Sequence, residues 1–238
     1  MIIEPPEASV IIPYFNRWDL THARMAELYR FLPDNCEIVL IDDCSTETEA
    51  AKGVAWWQKN PQRHRVRYYK NKENIGFGGS CNIGARLANG RVLIFLSNDV
   101  VVYEDVFSDI ICMIGLDDTM LLAGRVVDFP GGWNEFDAGG KHIVIPYAEG
   151  WLIGCTKKAW KTLGGFDLRY GKYGYEDVDL STTAIEKKFS IVGLNSHKVH
   201  HLVGRTIASL GVDRMAVTVN NREVYLQKWQ DKLATLEV

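Results

Sequence analysis

Four short apolar runs in the first hundred residues each stop at polar residues or proline, and the stretches between them carry helical periodicity. Ser9 to Ile12 meets Pro13, Glu37 to Ile41 runs into Asp42 and Asp43, Val66 to Tyr69 meets Lys70, and Arg91 to Leu96 ends in Ser97, Asn98 and Asp99. This βα rhythm admits few folds, because parallel strands need long crossovers and helices supply them. Leu20, Leu28, Phe31 and Leu32 share one face of a helix from Trp18 to Leu32, ended by Pro33. A second helix includes Ala50 to Lys59. Asn74 to Ser80 reads as a glycine-rich loop before a third helix around Cys81 to Ala88, with Gly90 as its C-terminal cap.

The second half changes character. Glycine pairs at 131–132, 139–140 and 164–165, with apolar runs near Leu121, Ile143 and Trp151, predict strands and loops laid against the sheet edge as a mixed sheet. A helix is expected from Glu176 to about Lys188, strands near Ile191 and Val199, and a terminal helix from Val212 to Leu233. With 238 residues and neither repeat nor linker, the expectation is a single domain. Residues 8–105 would form one half of it, and 106–238, with the C-terminal helix, the other.

A net charge of −3 gives no general attraction to nucleic acid or an anionic membrane, so an anionic ligand must be held by specific groups. The five cysteines are odd in number and form no Cys-x-x-Cys pair, which reads as reduced thiols in a cytoplasmic protein. Residues 1–7 lack the pattern of a signal peptide, and no apolar run approaches the roughly 20 residues of a transmembrane segment. The expected location is the cytoplasm, including the cytosolic face of a membrane if the substrates lie there.

In open α/β sheets the carboxyl ends of the strands face the ligand crevice, so Pro13 to Asn16, Asp42 with Asp43, and Ser97 to Asp99 are expected to converge. A carboxylate such as Asp99 at a strand end binds a hard cation, although Asn-Asp is also ordinary turn chemistry. Of Asp42 and Asp43, one can accept from a base or ribose while the other caps the next loop. The segment from Asn74 through Gly78 and Gly79 to Ser80 can offer backbone amides to a phosphate. Glu176, Asp177 and Asp179 cluster at a helix N-terminus, where the helix dipole accounts for at least one carboxylate and a general base for a sugar hydroxyl accounts for another. His200 and His201 follow one another on a strand, so at most one enters the site. Trp133, Tyr147, Trp151 and Tyr173 are candidates for stacking on sugar rings, with packing the simpler reading of each.

Taken in order, Val10-Ile11-Ile12-Pro13-Tyr14-Phe15-Asn16, Ile41-Asp42-Asp43-Cys44-Ser45, Asn74-Ile75-Gly76-Phe77-Gly78 with Asn82 and Gly84, and Ser97-Asn98-Asp99 resemble family 2 glycosyltransferases. Gly164-Gly165-Phe166-Asp167 and Glu176-Asp177-Val178-Asp179 extend the resemblance over about residues 8 to 205. It implies a GT-A fold, with a Rossmann-like, mostly parallel α/β sheet flanked by helices and a smaller mixed acceptor-side lobe. The implied activity is inverting transfer from a UDP- or dTDP-linked sugar to a glycan, lipid-linked or protein acceptor, assisted by Mn2+ or Mg2+.

By the same resemblance, Asp42 would bind the base, and Pro13, Tyr14, Phe15 and Asn16 would line the nucleotide pocket together with Asn74, Gly78, Gly79, Ser97 and Asn98. Asp99 would be the metal ligand of an Asp-x-Asp motif whose first position is here Ser97, and His201 in His-Leu-Val-Gly-Arg-Thr would join the metal. Asp177 would be the base, with Trp151, Gly154 and Glu176 on the acceptor side. A sugar-1-phosphate nucleotidyltransferase would need a glycine-rich basic loop after the first strand, which Pro13-Tyr14-Phe15-Asn16 is not. A non-catalytic nucleotide-sugar or carbohydrate-binding module is the competing reading.

Overall fold

A computed structural model describes residues 4–46, 49–59, 63–115, 117–202 and 214–237. The first half is β1 (Ala8–Tyr14), α1 (Trp18–Phe31), β2 (Cys36–Asp42), α2 (Glu49–Lys59), β3 (Arg65–Lys70), α3 (Gly76–Leu87) and β4 (Val92–Leu96). Next come β5 (Val100–Val102), α4 (Phe107–Ile114), β6 (Met120–Ala123), β7 (Val126–Val127), β8 (Glu135–Ala138), β9 (Lys141–Val144), β10 (Tyr147–Ala148), β11 (Leu152–Thr156) and α5 (Lys157–Leu163). The chain continues through a 3-10 turn at Leu168–Tyr170 to α6 (Glu176–Glu186), β12 (Ser190–Gly193), β13 (Val199–His201) and α7 (Arg214–Leu233).

Among the described residues the central sheet runs β12-β6-β11-β4-β1-β2-β3, and β11 is antiparallel to both neighbours. Strands from both halves of the sequence therefore share one sheet. Alternate residues face opposite sides, as pleating demands. Val10, Ile12, Ile38, Leu40, Ile94 and Leu96 pack with α1, α2 and α4, whereas Ile11, Val39, Ile41, Leu93 and Phe95 pack with α3, α5 and α6. A third cluster, with Phe136, Ile145, Tyr175, Tyr225 and Trp229, joins α7 to β8 and the start of α6.

Several local expectations are corrected. Pro13 does not stop β1, because it lies beyond the last β4 pair, Ile11 with Phe95, and only β2 accompanies it. The glycine-rich stretch from Gly76 to Ser80 is the start of α3 rather than a loop, and its glycines let the helix approach other elements. A Cβ on Gly84 would meet Ile11 at 2.3 Å. Gly90 is not a cap: Ala88 ends α3, and Gly90 passes so close to β1 that a Cβ would stand 2.5 Å from Ala8. Helices α4 and α5 were not foreseen, although α5 has a readable start and stop. Thr156 accepts from the Ala159 amide, and Gly164 closes the helix at φ 88°. The expected terminal helix is present from Arg214, while Val212 and the Val203-Gly204-Arg205-Thr206 part of the late histidine motif lie outside the described residues.

Candidate active site

The parallel strands β1, β2 and β4 end at one edge of the sheet, and hydrogen bonds stitch their tips together. The Asp43 amide donates to Tyr14 O at 2.8 Å, and the Ser97 amide donates to Trp151 O at 2.9 Å. Asn16, in the left-handed region at φ 51°, donates its amide to Ser45 Oγ at 2.8 Å and accepts from the Thr46 amide at 2.9 Å. The turns after β1 and β2 thus form one wall, with Phe15 and Asn16 half-buried on it and Pro13 and Tyr14 buried behind.

Asp42 is less available than the sequence suggests. Its Oδ1 accepts from the Ser45 amide at 2.6 Å and its Oδ2 from Tyr68 Oη at 2.9 Å, with 1% of the residue exposed. It holds the Ser45 turn in shape. Asp43 accepts from the Ile75 and Gly76 amides at 2.9 and 2.8 Å and from Asn71 Nδ2 at 2.8 Å. The Phe77 amide goes to Lys172 O at 2.9 Å. The Gly76 and Phe77 amides at the start of α3 are therefore occupied by protein groups, and Gly78 and Gly79 lie buried in the helix behind them. Asn74 remains half-exposed, with a buried Oδ1 that lacks a hydrogen-bond partner.

At the tip of β4, Ser97 Oγ donates to Asp99 Oδ1 at 2.6 Å, and His201 Nε2 stands 3.3 Å from the same oxygen. Burial pushes the Asp99 carboxyl up, but the hydrogen bonds from His201 and Ser97 outweigh it and hold the group below its ordinary value. Asn98 turns the other way and donates to Thr21 Oγ1 at 3.1 Å on α1, buried at 3% exposure. The alternation of β13 sends His201 to Asp99 and leaves His200 exposed. Among the described residues no group of three or more His, Cys, Asp or Glu side chains is arranged to hold a metal by itself. One carboxylate and one imidazole 3.3 Å apart suit neighbouring positions around a divalent cation whose other ligands come from phosphate and water.

The segment from Glu149 to Trp151 connects this pair to the acidic helix. Gly150 donates its amide to Asp177 Oδ2 at 3.1 Å, and the next residue stacks its indole on His201, with ring centres 5.4 Å apart and planes at 20°. Trp151 Nε1 is held by Glu149 Oε2 at 2.9 Å. Asp177 is the second residue of α6, which follows Tyr175 at φ 75°, and its Oδ1 accepts from the Val178 amide at 2.9 Å. Burial raises the Asp177 carboxyl above its ordinary value, the Gly150 and Val178 amides pull it partly back, and the charge of Glu149 adds to the rise. Glu176 is raised further, by burial first and then by the charge of Asp177, and its Oε2 has no hydrogen-bond partner.

Of the residues expected on the acceptor side, Trp151 stands at this junction, Glu176 precedes Asp177 in the chain with its side chain near Gly78 of α3, and Gly154 lies elsewhere. It sits within β11, where a Cβ would meet Ile114 at 2.7 Å and Ile110 at 3.2 Å, so its role is to let α4 pack on the sheet. Gly150 and Glu149 escaped notice because a backbone amide and a flanking carboxylate have no motif of their own. Asp179 belongs to the scaffold: it accepts from Tyr170 Oη at 3.0 Å, Trp229 Nε1 at 2.7 Å and Lys228 Nζ at 2.8 Å, which locks α7 onto α6.

The family described as Glycosyl transferase family 2 matches residues 9–171, more than half of the chain. The chain belongs to glycosyltransferase family 2. An uncharacterized glycosyltransferase of Haemophilus influenzae is 31% identical over 91 residues, which are 38% of this chain and 29% of that protein. An uncharacterized protein of Mycobacterium bovis is 21% identical over 210 residues, 83% of this chain and 74% of the relative. The chain thus spans under a third of the length of the Haemophilus protein and 14% of a related uncharacterized glycosyltransferase from Rickettsia bellii, to which it is 27% identical over 44% of its own length.

Solved glycosyltransferase structures share the fold. A mannosyltransferase from Pyrobaculum calidifontis, in complex with GDP-Man and Mn2+, superposes with a TM-score of 0.62 at 17% identity, over 81% of this chain and 57% of that one. GalNAc-T7 with UDP, GalNAc and Mn2+ gives 0.72 at 19% identity, over 97% of this chain and 49% of the other. The family-2 chain therefore has the GT-A fold of these structures, an α/β architecture whose large, mostly parallel sheet is flanked by helices. No helix among the described residues is long and apolar enough to cross a membrane.

Proposed function

We propose that this family-2 glycosyltransferase moves a sugar from a nucleoside-diphosphate donor, UDP- or dTDP-linked, to a hydroxyl of a glycan or other acceptor by one inverting displacement. The observation that carries the reading is the contact of two successive residues, Gly150 with Asp177 and Trp151 with His201 beside Asp99. Successive Cα atoms are about 3.8 Å apart, so a base and a charge-binding pair belong to one local assembly. The reaction needs both, one for the proton of the acceptor and one for the diphosphate.

Asp177 takes the proton from the attacking hydroxyl. Each of its oxygens accepts one backbone amide, which fixes the carboxylate and leaves lone-pair capacity for that proton. The acceptor oxygen forms its bond to the anomeric carbon as the bond from that carbon to the phosphate oxygen breaks, and the electron pair leaves with the nucleoside diphosphate. Asp99 and His201 are the residues that would hold Mn2+ or Mg2+, and a bound cation would neutralise charge on the diphosphate. The wall of Phe15, Asn16 and the Ser45 turn would receive the nucleoside, with Asp42 shaping it from behind.

The test is release of nucleoside diphosphate from a panel of UDP-, dTDP- and GDP-sugars, with Mn2+ or Mg2+ and with simple glycosides as acceptors. Turnover of at least one donor is expected. Thermal stabilisation by nucleoside diphosphates without turnover of any donor would replace this reading with that of a binding module.

A further inference from the structure

The segment between β7 and β8 carries two large aromatic side chains in the open, Phe129 at 50% exposure and Trp133 at 40%. The loop beneath them is pinned. Asn134, fully buried, accepts from the Gly131 amide at 3.2 Å and donates to Phe129 O at 3.3 Å and Ile145 O at 2.9 Å. Arg222 of α7 donates to Gly132 O at 3.2 Å and Glu135 O at 2.5 Å, and Tyr175 Oη donates to Trp133 O at 2.8 Å. Two apolar rings are thus presented to solvent by a fixed backbone, an arrangement that suits binding because little ordering remains to be done.

The backbone of Trp133 and the ring of Phe129 are each connected to the surroundings of Asp177. Tyr175, which holds the Trp133 carbonyl, lies two residues before Asp177 and feels its charge. On the other flank, the Arg125 guanidinium lies 5.9 Å from the centre of the Phe129 ring and 3.9 Å from Glu149, the neighbour of the Gly150 amide on Asp177. A Cβ on Gly132, beside Trp133, would meet nothing within 4 Å, so the space there is open. Trp151 is the other tryptophan at hand, but its ring is already stacked on His201 and bonded to Glu149.

We propose that Trp133, flanked by Phe129, is an acceptor subsite that packs against the apolar C–H face of a pyranose ring, which makes the acceptor a carbohydrate. This deepens the transferase reading and rests on it. An indole offers a broad rigid face to such a ring, and the hydroxyl to be glycosylated is directed toward Asp177.

The experiment uses the full chain with UDP and Mn2+, titrated with methyl pyranosides of glucose, galactose, mannose, rhamnose and N-acetylglucosamine and followed by saturation-transfer NMR. In parallel, acceptor-independent hydrolysis is measured across the UDP-, dTDP- and GDP-sugar panel. At least one glycoside is expected to bind, Trp133→Ala to weaken it by about three- to tenfold, and Trp133→Phe to retain most of the affinity. Hydrolysis should not change in either variant. Trp133→Leu, which keeps an apolar side chain on the loop, replaces the alanine variant if that one unfolds. Equal glycoside binding without the indole, or no binding of any glycoside to the parent, overturns the subsite. Absence of nucleoside diphosphate release from every donor, both with and without the glycosides, instead overturns the transferase reading.

Discussion

The Gly150 amide donates to Asp177 Oδ2 at 3.1 Å, so the turn before β11 positions a carboxylate in the first turn of α6. Replacement of Asp177 by Asn keeps the shape but removes the basic oxygen. A positioned base contributes on the order of 10²- to 10⁴-fold, and kcat is expected to fall by that factor in Asp177→Asn. Donor affinity, measured by calorimetry with a nucleoside diphosphate, should stay within about threefold, because the proposed role of Asp177 is toward the acceptor hydroxyl and not the nucleotide. A variant with parental turnover removes Asp177 from the mechanism.

The pH dependence follows from the raised carboxyls. Asp177 must be ionised to act, so kcat/KM rises with pH through its folded-state pKa, and the acidic limb should lie above the ordinary aspartate value of about 3.9. Glu176 gives a stability signature. Its folded-state pKa is raised above the unfolded value, so its contribution is fully present below the unfolded value, about 4.3, and is lost as pH rises through the folded value. Glu176→Gln cannot ionise, and its stability relative to the parent should grow by up to about 1.4 kcal/mol per pH unit across that window. Urea unfolding of both proteins from pH 4 to 8 measures the slope, and a flat difference contradicts the raised value.

Much of this arrangement was legible because strand tips carry their own signal. Runs ending in Asp42, Asp43 and Ser97 to Asp99 have to meet at one sheet edge, and the alternation of β13 admits only one of His200 and His201, which in the structure is His201. What failed was the reading of glycine. Each glycine costs a helix about 1 kcal/mol relative to alanine, which argues for a loop at Gly76 to Gly79. The close approach of α3 to Phe166 and to β1, which only small residues permit, overrides that local preference. The cap that Asp42 gives the Ser45 turn was legible from its neighbours, whereas its bond from Tyr68 on β3 was not, because that partner lies 26 residues away.

Asp99 and His201 are the residues proposed to hold the cation, with Ser97 where the motif usually has its first carboxylate. With a single carboxylate, each ligand matters more. Asp99→Asn is expected to weaken Mn2+ binding beyond the roughly 10- to 100-fold that loss of a merely supporting partner costs, and His201→Ala to weaken it to a lesser degree. Chelation should lower parental turnover, and added Mn2+ should restore it. Calorimetric titration of Mn2+ in the presence of UDP reads the affinities, and parental affinity in Asp99→Asn would exclude this carboxylate as a ligand.

Gly76 joins stability to the geometry of the base. It adopts φ +80°, its amide is held by Asp43 at 2.8 Å, and a Cβ there would stand 2.2 Å from the Lys172 backbone. Gly140 adopts a similar φ of +74° but would meet nothing within 4 Å. The two glycines separate backbone strain from collision. Gly140→Ala should cost about 1–2 kcal/mol, the cost of a left-handed backbone for a residue with a Cβ. Gly76→Ala adds overlap with main-chain atoms, which are not free to swing aside, and its total should reach about 2–5 kcal/mol. The displaced segment, from Lys172 to Tyr175, leads directly into Asp177, so Gly76→Ala should also lose kcat while Gly140→Ala keeps it. Urea unfolding and donor turnover measured on both variants test the pair, and equal costs with equal activities would show that α3 does not support the base through Lys172.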